Sequence, residues 1–476
     1  MIDHVQQTQS MVVSPLKTGA TASLARFALN LSFEDIPRDV VEIAKEQLVA
    51  TIGSCFAGAT LPAAKSIEAG LGVLGDGQTA TLFGTSRRLP APSAALFNSA
   101  TAQALDWDDW VIISHTGAAV IPTAFAAGEY VGATGRDIIT AVVIGNEING
   151  RTSRAIQKGA YVGNSLPNHQ VETALISSRL LGLTQVEAER AVGHSGFMAM
   201  ESCHVGWMTD SKLLCNGLPA MWGLVAASLA KSGLIGNRDL LEHPAGLLST
   251  VSEVVDLEQL DACLGSEWQT RTLNTKRHAS CAYNLAAIEC AIALRERVPA
   301  LDPDRIERLI VEGPGVMLYV GARFQALEPD IYTRIEQDDA THVALCFDAG
   351  YAVASALLDG EMTHRQYLKS RILSDDIRRL GSRISFRADP DMHAAYYADY
   401  QYGARLRLTM SDGSEYVEER RQLLGARDRP FDHADKFQEC AADTLSTEQI
   451  KEAIDMLRNM DEIDDIRRVT NVLTTR

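Results

Sequence analysis

The chain has 476 residues, long enough for two or three domains and a large core. Hydrophobic residues make up 46% and charged residues 22%, which excludes a disordered chain. The formal net charge of −17 argues against a nucleic-acid partner, because phosphate binding needs basic surface, although one basic pocket can still take an anionic substrate.

The first residues, MIDHVQQTQSMVVSPLKTG, lack both a basic region with an apolar core and an arginine-rich pattern, so they read as a lead rather than a signal or transit peptide. No window reads as an uninterrupted apolar membrane span. The eight cysteines (Cys55, Cys203, Cys215, Cys263, Cys281, Cys290, Cys346 and Cys440) form no CxxC pair, so no zinc ribbon or thioredoxin-like site is indicated. Sparse cysteine suits a reducing compartment, and a cytoplasmic location is expected.

Phe33 to Phe56 reads as an amphipathic helix with Pro37 in its first turn and Val40, Val41, Ile43, Ala44, Leu48 and Ile52 on one stripe. Ala63 to Leu74 is a second, shorter helix. Its end, GLGVLG, matches GxGxxG but follows a helical run instead of a buried strand, so it reads as a helix stop and turn. Pro92 opens an alanine-rich helix that delivers Asp106. The next segments, from GAAVIPTAFAAGEYVGA to LPAMWGLVAASLAKSGLIG, read as helices packed on small-residue faces, with Thr184 as an N-cap.

Near residue 270 the pattern changes. RIERLIVEGPG carries a strand signal, and GARLRLTM-SDG-SEYVEERR alternates on both sides of a turn, as a hairpin does. HVALCFDAGYAVASALLDG and HRQYLKSRILSDDIRRLGSRI between them read as helical, and TEQIKEAIDMLRNM and EIDDIRRVTNVL return to amphipathic helix. The expected fold is mainly α. A large all-helical domain comes from residues 1–272 plus the C-terminal helices of 431–476, with a smaller α+β lid domain, 273–430, inserted between.

The chemistry is concentrated in Ala104 to Pro122, ALDWDDWVIISHTGAAVIP. Three carboxylates (Asp106, Asp108, Asp109) precede an imidazole, His115, a combination suited to proton transfer. The same cluster also fits a solvated acidic helix end. An aspartate-rich metal site of the isoprenoid-synthase kind is not matched, because DDxxD is absent.

RLPAPSAALFNSATAQALDWDD followed by HTGAAVIPTAFAAGE resembles the signature of the MmgE/PrpD superfamily of 2-methylcitrate dehydratases and cis-aconitate decarboxylases. GNEINGR, SSRLLGL, AVGHSG, MTDSKLLCNG, KSGLIG, NTKRHASCAYN and ASALLDG continue the match in order through most of the chain. The resemblance implies the two-domain fold above, with a site in the cleft between domains. It also implies a homodimer, a small-molecule carboxylate substrate, and no metal or organic cofactor.

Carried over, Asp106 takes a proton alpha to a carboxylate or holds a neighbouring lysine charged. His115 donates or accepts a proton, with a reference pKa of about 6.5. Lys212 and Lys276 stabilise a developing enolate. Asp108 and Asp109 read as structural acids, with a supporting role open for Asp109. Tyr332 falls near a tyrosine used by the decarboxylase branch, and Ser280 and Cys281 match small residues near the pocket.

The departures share a theme. Gln103 stands for a histidine, Trp110 for a threonine, Cys215 for a histidine, and Leu218 and Ala282 for arginines. The family's FHPT-like histidine has no square match in YVGNSLPNHQ, where His169 lies several residues later. Gln103, Trp110, Ser280, Tyr332 and His169 are therefore the expected substrate-binding residues. Losing two guanidinium groups weakens binding of a tricarboxylate. The expected substrate has fewer carboxylates or a more apolar body against Trp110.

The leading expectation is a cofactor-independent dehydratase-like lyase that removes a proton alpha to a carboxylate or carbonyl and expels a β leaving group. The alternatives are an epimerase or decarboxylase on the same scaffold, or a non-catalytic descendant.

Overall fold

The computed structural model describes residues 19–156, 166–197, 204–298 and 301–475. Two hydrophobic cores organise them. The first is built by helices Ala20–Asn30, Arg38–Ala59, Ala91–Gln103, Gly117–Val131, Gly135–Ala155, Leu166–Leu180, Gln185–Gly196 and Leu214–Lys231. Small residues let these helices approach closely. At Gly58 an added Cβ would lie 2.0 Å from the Thr101 carbonyl oxygen, so only glycine allows the Arg38–Ala59 helix to cross Ala91–Gln103 there.

The same core takes in the C-terminal end of the chain. Helices His433–Ala441 and Thr447–Arg458 pack along Arg38–Ala59, and Phe437, Ile450, Leu457, Val469 and Leu473 are buried there. The His433–Ala441 helix straddles the two cores: Phe437 and Ala441 belong to the first, Cys440 to the second.

The second core is covered by a four-stranded mixed sheet in the order Ile384–Ala388, Ile306–Gly313, Ala404–Met410, Glu415–Arg420. The first pair is parallel and the others antiparallel. Helix Leu285–Arg297 packs against the last two strands and against helix Ala349–Asp359. The strand and the hairpin expected from alternation are both present. The edge strand Ile384–Ala388 was not expected: the segment read as helical divides into His364–Tyr367, Lys369–Ile372 and Asp375–Gly381, and ISFRA then pairs with Ile306–Gly313.

Helix ends shift in similar ways. The helix expected to begin at Phe33 starts at Arg38, because Pro37 serves as N-cap and Phe33–Asp35 form a separate 3₁₀ turn closed by a Ser32–Asp35 capping box. GLGVLG is a helix end and a 3₁₀ turn, with Gly75 at φ 106°. Asp210–Lys231 is long and apolar enough to cross a membrane by length and composition, contrary to the expectation of no such window. It packs against helices Ala91–Gln103, Leu166–Leu180 and Gln185–Gly196 and serves as a core helix.

The seam between the cores is where the Ala104–Pro122 stretch lies. Leu105, Trp107 and Trp110 side with the second core although their flanking helices build the first.

Candidate active site at the seam of the two cores

The Ala91–Gln103 helix ends in a turn in which the Asp106 amide donates to the Gln103 carbonyl at 2.8 Å. Asp106 then adopts φ 52°, a left-handed conformation that costs a non-glycine residue roughly 1–3 kcal/mol and that clusters at functional sites. Asp109 and Trp110 pair with Thr275 and Asn274 in a two-residue antiparallel ladder. The Lys276 amide donates to the Asp108 carbonyl at 3.1 Å, which fixes Lys276 beside the acids. Val111 and Ser114 exchange hydrogen bonds of 3.0 Å, folding the chain so that His115 returns to Asp108.

The side chains form a continuous chain of charge. Lys212 Nζ lies 2.7 Å from Asp106 Oδ1, and Lys276 Nζ lies 2.6 Å from Asp106 Oδ2 and 3.0 Å from Asp108 Oδ1. His115 Nδ1 lies 2.7 Å from Asp108 Oδ2. The two lysines and two aspartates are buried, whereas the His115 side chain is 21% exposed. Burial opposes ionisation of Asp106, but the charges of Lys212 and Lys276 outweigh it and hold the carboxyl well below the usual range. Asp108 is likewise penalised by burial, yet His115 and Lys276 bring it down to about 2. Both lysines are raised: burial disfavours their charge, and the Asp106 and Asp108 charges more than compensate.

Asp109 faces the other way. It accepts from Thr51 Oγ1 at 2.8 Å, from Gln47 Nε2 at 3.2 Å and from the Gly117 amide at 2.8 Å. It thereby caps the Gly117–Val131 helix. Burial, then the Asp108 charge, push its carboxyl upward.

Asp106, Asp108 and His115 offer ligand atoms within 4.8 Å of one another, a spacing compatible with a cation. Lys212 and Lys276 already place ammonium groups on these carboxylates.

All four expected catalytic residues thus meet in one cluster. A carboxylate clamped by two ammonium groups is a poor base, and this geometry favours the second of the two roles expected for Asp106, holding a lysine charged.

The expected binding residues divide. Trp110 is buried beside the cluster, its ring 5.8 Å from Lys276 Nζ and edge-on to Tyr402 at 5.4 Å. Gln103 is buried with Oε1 unpartnered among the described residues. Ser280 donates to the Cys346 carbonyl at 3.1 Å and accepts from Asn284 at 3.1 Å, so it ties two segments together.

Tyr332 is not in the cluster. Its hydroxyl donates to Asp348 Oδ2 at 3.2 Å, and Asp348 caps the Ala349–Asp359 helix. His169 is fully buried behind the turn, with Nδ1 2.7 Å from Glu172 and Nε2 3.3 Å from both Ser114 Oγ and Asn216 Nδ2. These partners tie His169 to the loop that carries His115. The segment sought for the family histidine falls partly on residues 161–165, outside the described residues.

Two contributors were missed. Asp108 was read as structural, yet it is the partner of His115. Asp106 lies in a left-handed turn, so the Lys276 ion pairs it shares with Asp108 come from the fold and not from a strand-like alternation in the sequence. Asn216, which donates to the His115 carbonyl at 2.7 Å, likewise left no trace in the sequence.

A family model described as the MmgE/PrpD N-terminal domain matches residues 22–260. One described as the MmgE/PrpD C-terminal domain matches residues 278–462. The chain belongs to the MmgE/PrpD family. Its relatives include a cis-aconitate decarboxylase from Aspergillus terreus, 26% identical, with 98% of each chain covered. Cis-aconitate decarboxylases from Homo sapiens (23% identical; 95% of this chain and 94% of that one) and Mus musculus (24%; 95% and 93%) are similar over nearly the whole length. As a MmgE/PrpD enzyme the protein acts on small carboxylates. The two buried ammonium groups are balanced by the carboxylates of Asp106 and Asp108, and Lys212 Nζ makes no directed hydrogen bond among the described residues beyond its ion pair.

Proposed function

We propose that the protein is a decarboxylase of a small unsaturated carboxylate, with His115 supplying the proton that replaces the departing CO2. The observation that carries this reading is the presence of one proton-transfer group in the cluster. Asp106 is tied to Lys212 and Lys276, and Asp108 to Lys276 and His115, which leaves the far side of the His115 ring for the substrate. Dehydration needs a base for the α proton and an acid for the departing hydroxide. Epimerisation needs groups on opposite faces. Decarboxylation needs only an acid, because the electron pair comes from the breaking C–C bond.

In this reading the C–C bond to one carboxylate breaks and CO2 leaves. Its electron pair moves into the adjacent carbon–carbon double bond, and the charge is delocalised onto the remaining carboxylate. Lys212 and Lys276 stabilise that enolate-like charge. The carbon at the end of the delocalised system then takes a proton from protonated His115, and Asp108 holds the imidazole in register. The cis-aconitate decarboxylases among the relatives support the same reaction type. With Cys215, Leu218 and Ala282 where the family pattern carries histidine or arginine, the favoured substrate has fewer carboxylates than cis-aconitate and an apolar portion against Trp110.

The test offers β,γ-unsaturated di- and tricarboxylic acids, cis-aconitate included, beside β-hydroxy acids of the same size, in deuterated water. One CO2 released per product, with one deuterium on the newly protonated carbon, is expected. A new alkene formed from a hydroxy acid without CO2 release would overturn decarboxylation in favour of dehydration.

A further inference from the structure

Lys436 lies in the His433–Ala441 helix, within none of the family motifs, and is fully buried. Among the described residues no carboxylate lies within ion-pair distance of its Nζ. A buried ammonium without an ion-pair partner is costly and needs hydrogen bonds to persist. Its Nζ donates to the Trp107 carbonyl, 329 residues earlier in the chain, and sits 5.6 Å from the Trp107 ring centroid. The same carbonyl accepts from Ser54 Oγ at 2.6 Å. Trp107 is the residue between Asp106 and Asp108, so two donors from two different helices grip the backbone at the middle of the acid loop.

We propose that Lys436 is a positioning residue of the active site: by holding the Trp107 carbonyl it fixes the left-handed turn at Asp106 and keeps the Asp106 and Asp108 carboxylates on the side of Lys212 and Lys276. The argument is geometric. A left-handed aspartate persists only where its surroundings over-determine it. The Gln103 carbonyl restrains the turn from one side, and the gripped Trp107 carbonyl restrains it from the other. The charged and titratable groups acting on Lys436 are Asp108 and Asp109 from the loop, Lys276 beside the acids, Cys440 from its own helix and Cys55 from the Arg38–Ala59 helix. Burial lowers its ammonium to about 8, and the two aspartates and Cys440 counter that fall. The role leaves the chemistry to His115 and assigns Lys436 the backbone beneath it.

Hydrogen–deuterium exchange on the full chain, wild type against Lys436→Met, tests this without any substrate. Peptides covering residues 104–112 are expected to exchange about tenfold faster in Lys436→Met, with the Ala349–Asp359 helix unchanged. Lys436→Arg, which keeps donor and charge, is expected to restore most of the protection. Wild-type protection of 104–112 in folded Lys436→Met overturns the proposal. If that variant does not fold, Lys436→Gln is read by the same criterion.

A kinetic arm rests on the proposed decarboxylation and uses a β,γ-unsaturated dicarboxylic acid as probe, with cis-aconitate beside it. In Lys436→Met kcat should fall about 100-fold with KM nearly unchanged, as expected when reacting groups are misplaced by about 1 Å. An equal loss of stability with an unchanged kcat would refute a positioning role. No turnover by the wild type would count against the reaction proposed above, and the exchange comparison would still decide on Lys436.

Discussion

His115 and Asp108, seven residues apart, meet at 2.7 Å through Nδ1 and Oδ2 because the Val111–Ser114 turn folds the chain back on itself. The contact fixes which ring nitrogen faces the acid. His115→Gln removes the proton donor and should lower kcat by about 10²–10⁴-fold with the fold retained. Asp108→Asn leaves the ring but not its orientation, and a loss of about 100-fold is expected. Steady-state rates alongside circular dichroism check both, and near-normal rates in both would remove His115 from the mechanism.

The two lysines should respond differently to truncation. Lys276 touches both buried acids, so Lys276→Met takes one partner from each, leaving Asp106 with Lys212 and Asp108 with His115, and should cost roughly 3–5 kcal/mol of stability. Lys212 touches Asp106 alone, and Asp106 keeps Lys276 as partner. Lys212→Met should therefore retain more stability while losing activity by at least about 100-fold. Denaturant titration beside kinetics separates the two, and equal destabilisation would contradict the ordering.

The acid cluster also predicts a direction with pH. Asp108 titrates at about 2 in the folded protein, below its ordinary 3.8, and Asp106 is shifted further the same way. The folded state thus binds fewer protons than the unfolded one as pH falls. The resulting stability is fully present above about pH 4 and is lost as pH drops through the folded values. Urea midpoints measured from pH 6 downward should fall steeply below pH 4, and Asp108→Asn should flatten that fall.

Gly117 offers a steric test of the cap on the next helix. A Cβ there would lie 2.1 Å from Asp109 Oδ2. Gly117→Ala should displace the carboxylate from the Gly117 amide and destabilise the protein by about 1–3 kcal/mol. Thermal unfolding of this variant measures the effect, and an unchanged midpoint would show that Asp109 is free to move.

Helix-rich organisation and the hairpin were legible because their periodicities differ, 3.6 against 2. Ile384–Ala388 was not, since a five-residue edge strand following a helical run has too few residues to display alternation. The four central site residues were legible through ordered motifs. Their roles were not, because the basicity of Asp106 depends on lysines 106 and 170 residues away in sequence. Tyr332 and His169 show the converse: near a motif in the chain, but committed to Asp348 and Glu172 in space.

The return of the last helices has a consequence for biosynthesis. Phe437, Leu457 and Leu473 complete the first core, and the Gly84 amide donates to the Leu473 carbonyl. A nascent chain emerging from its N-terminus therefore cannot seal its large helical body until residues 433–473 have left the ribosome. Shortened products that stop before residue 433 would carry every motif of the signature and still present an open groove along the Arg38–Ala59 helix. Such fragments should be captured by chaperones or proteases, which makes synthesis through residue 473 the checkpoint for a competent enzyme.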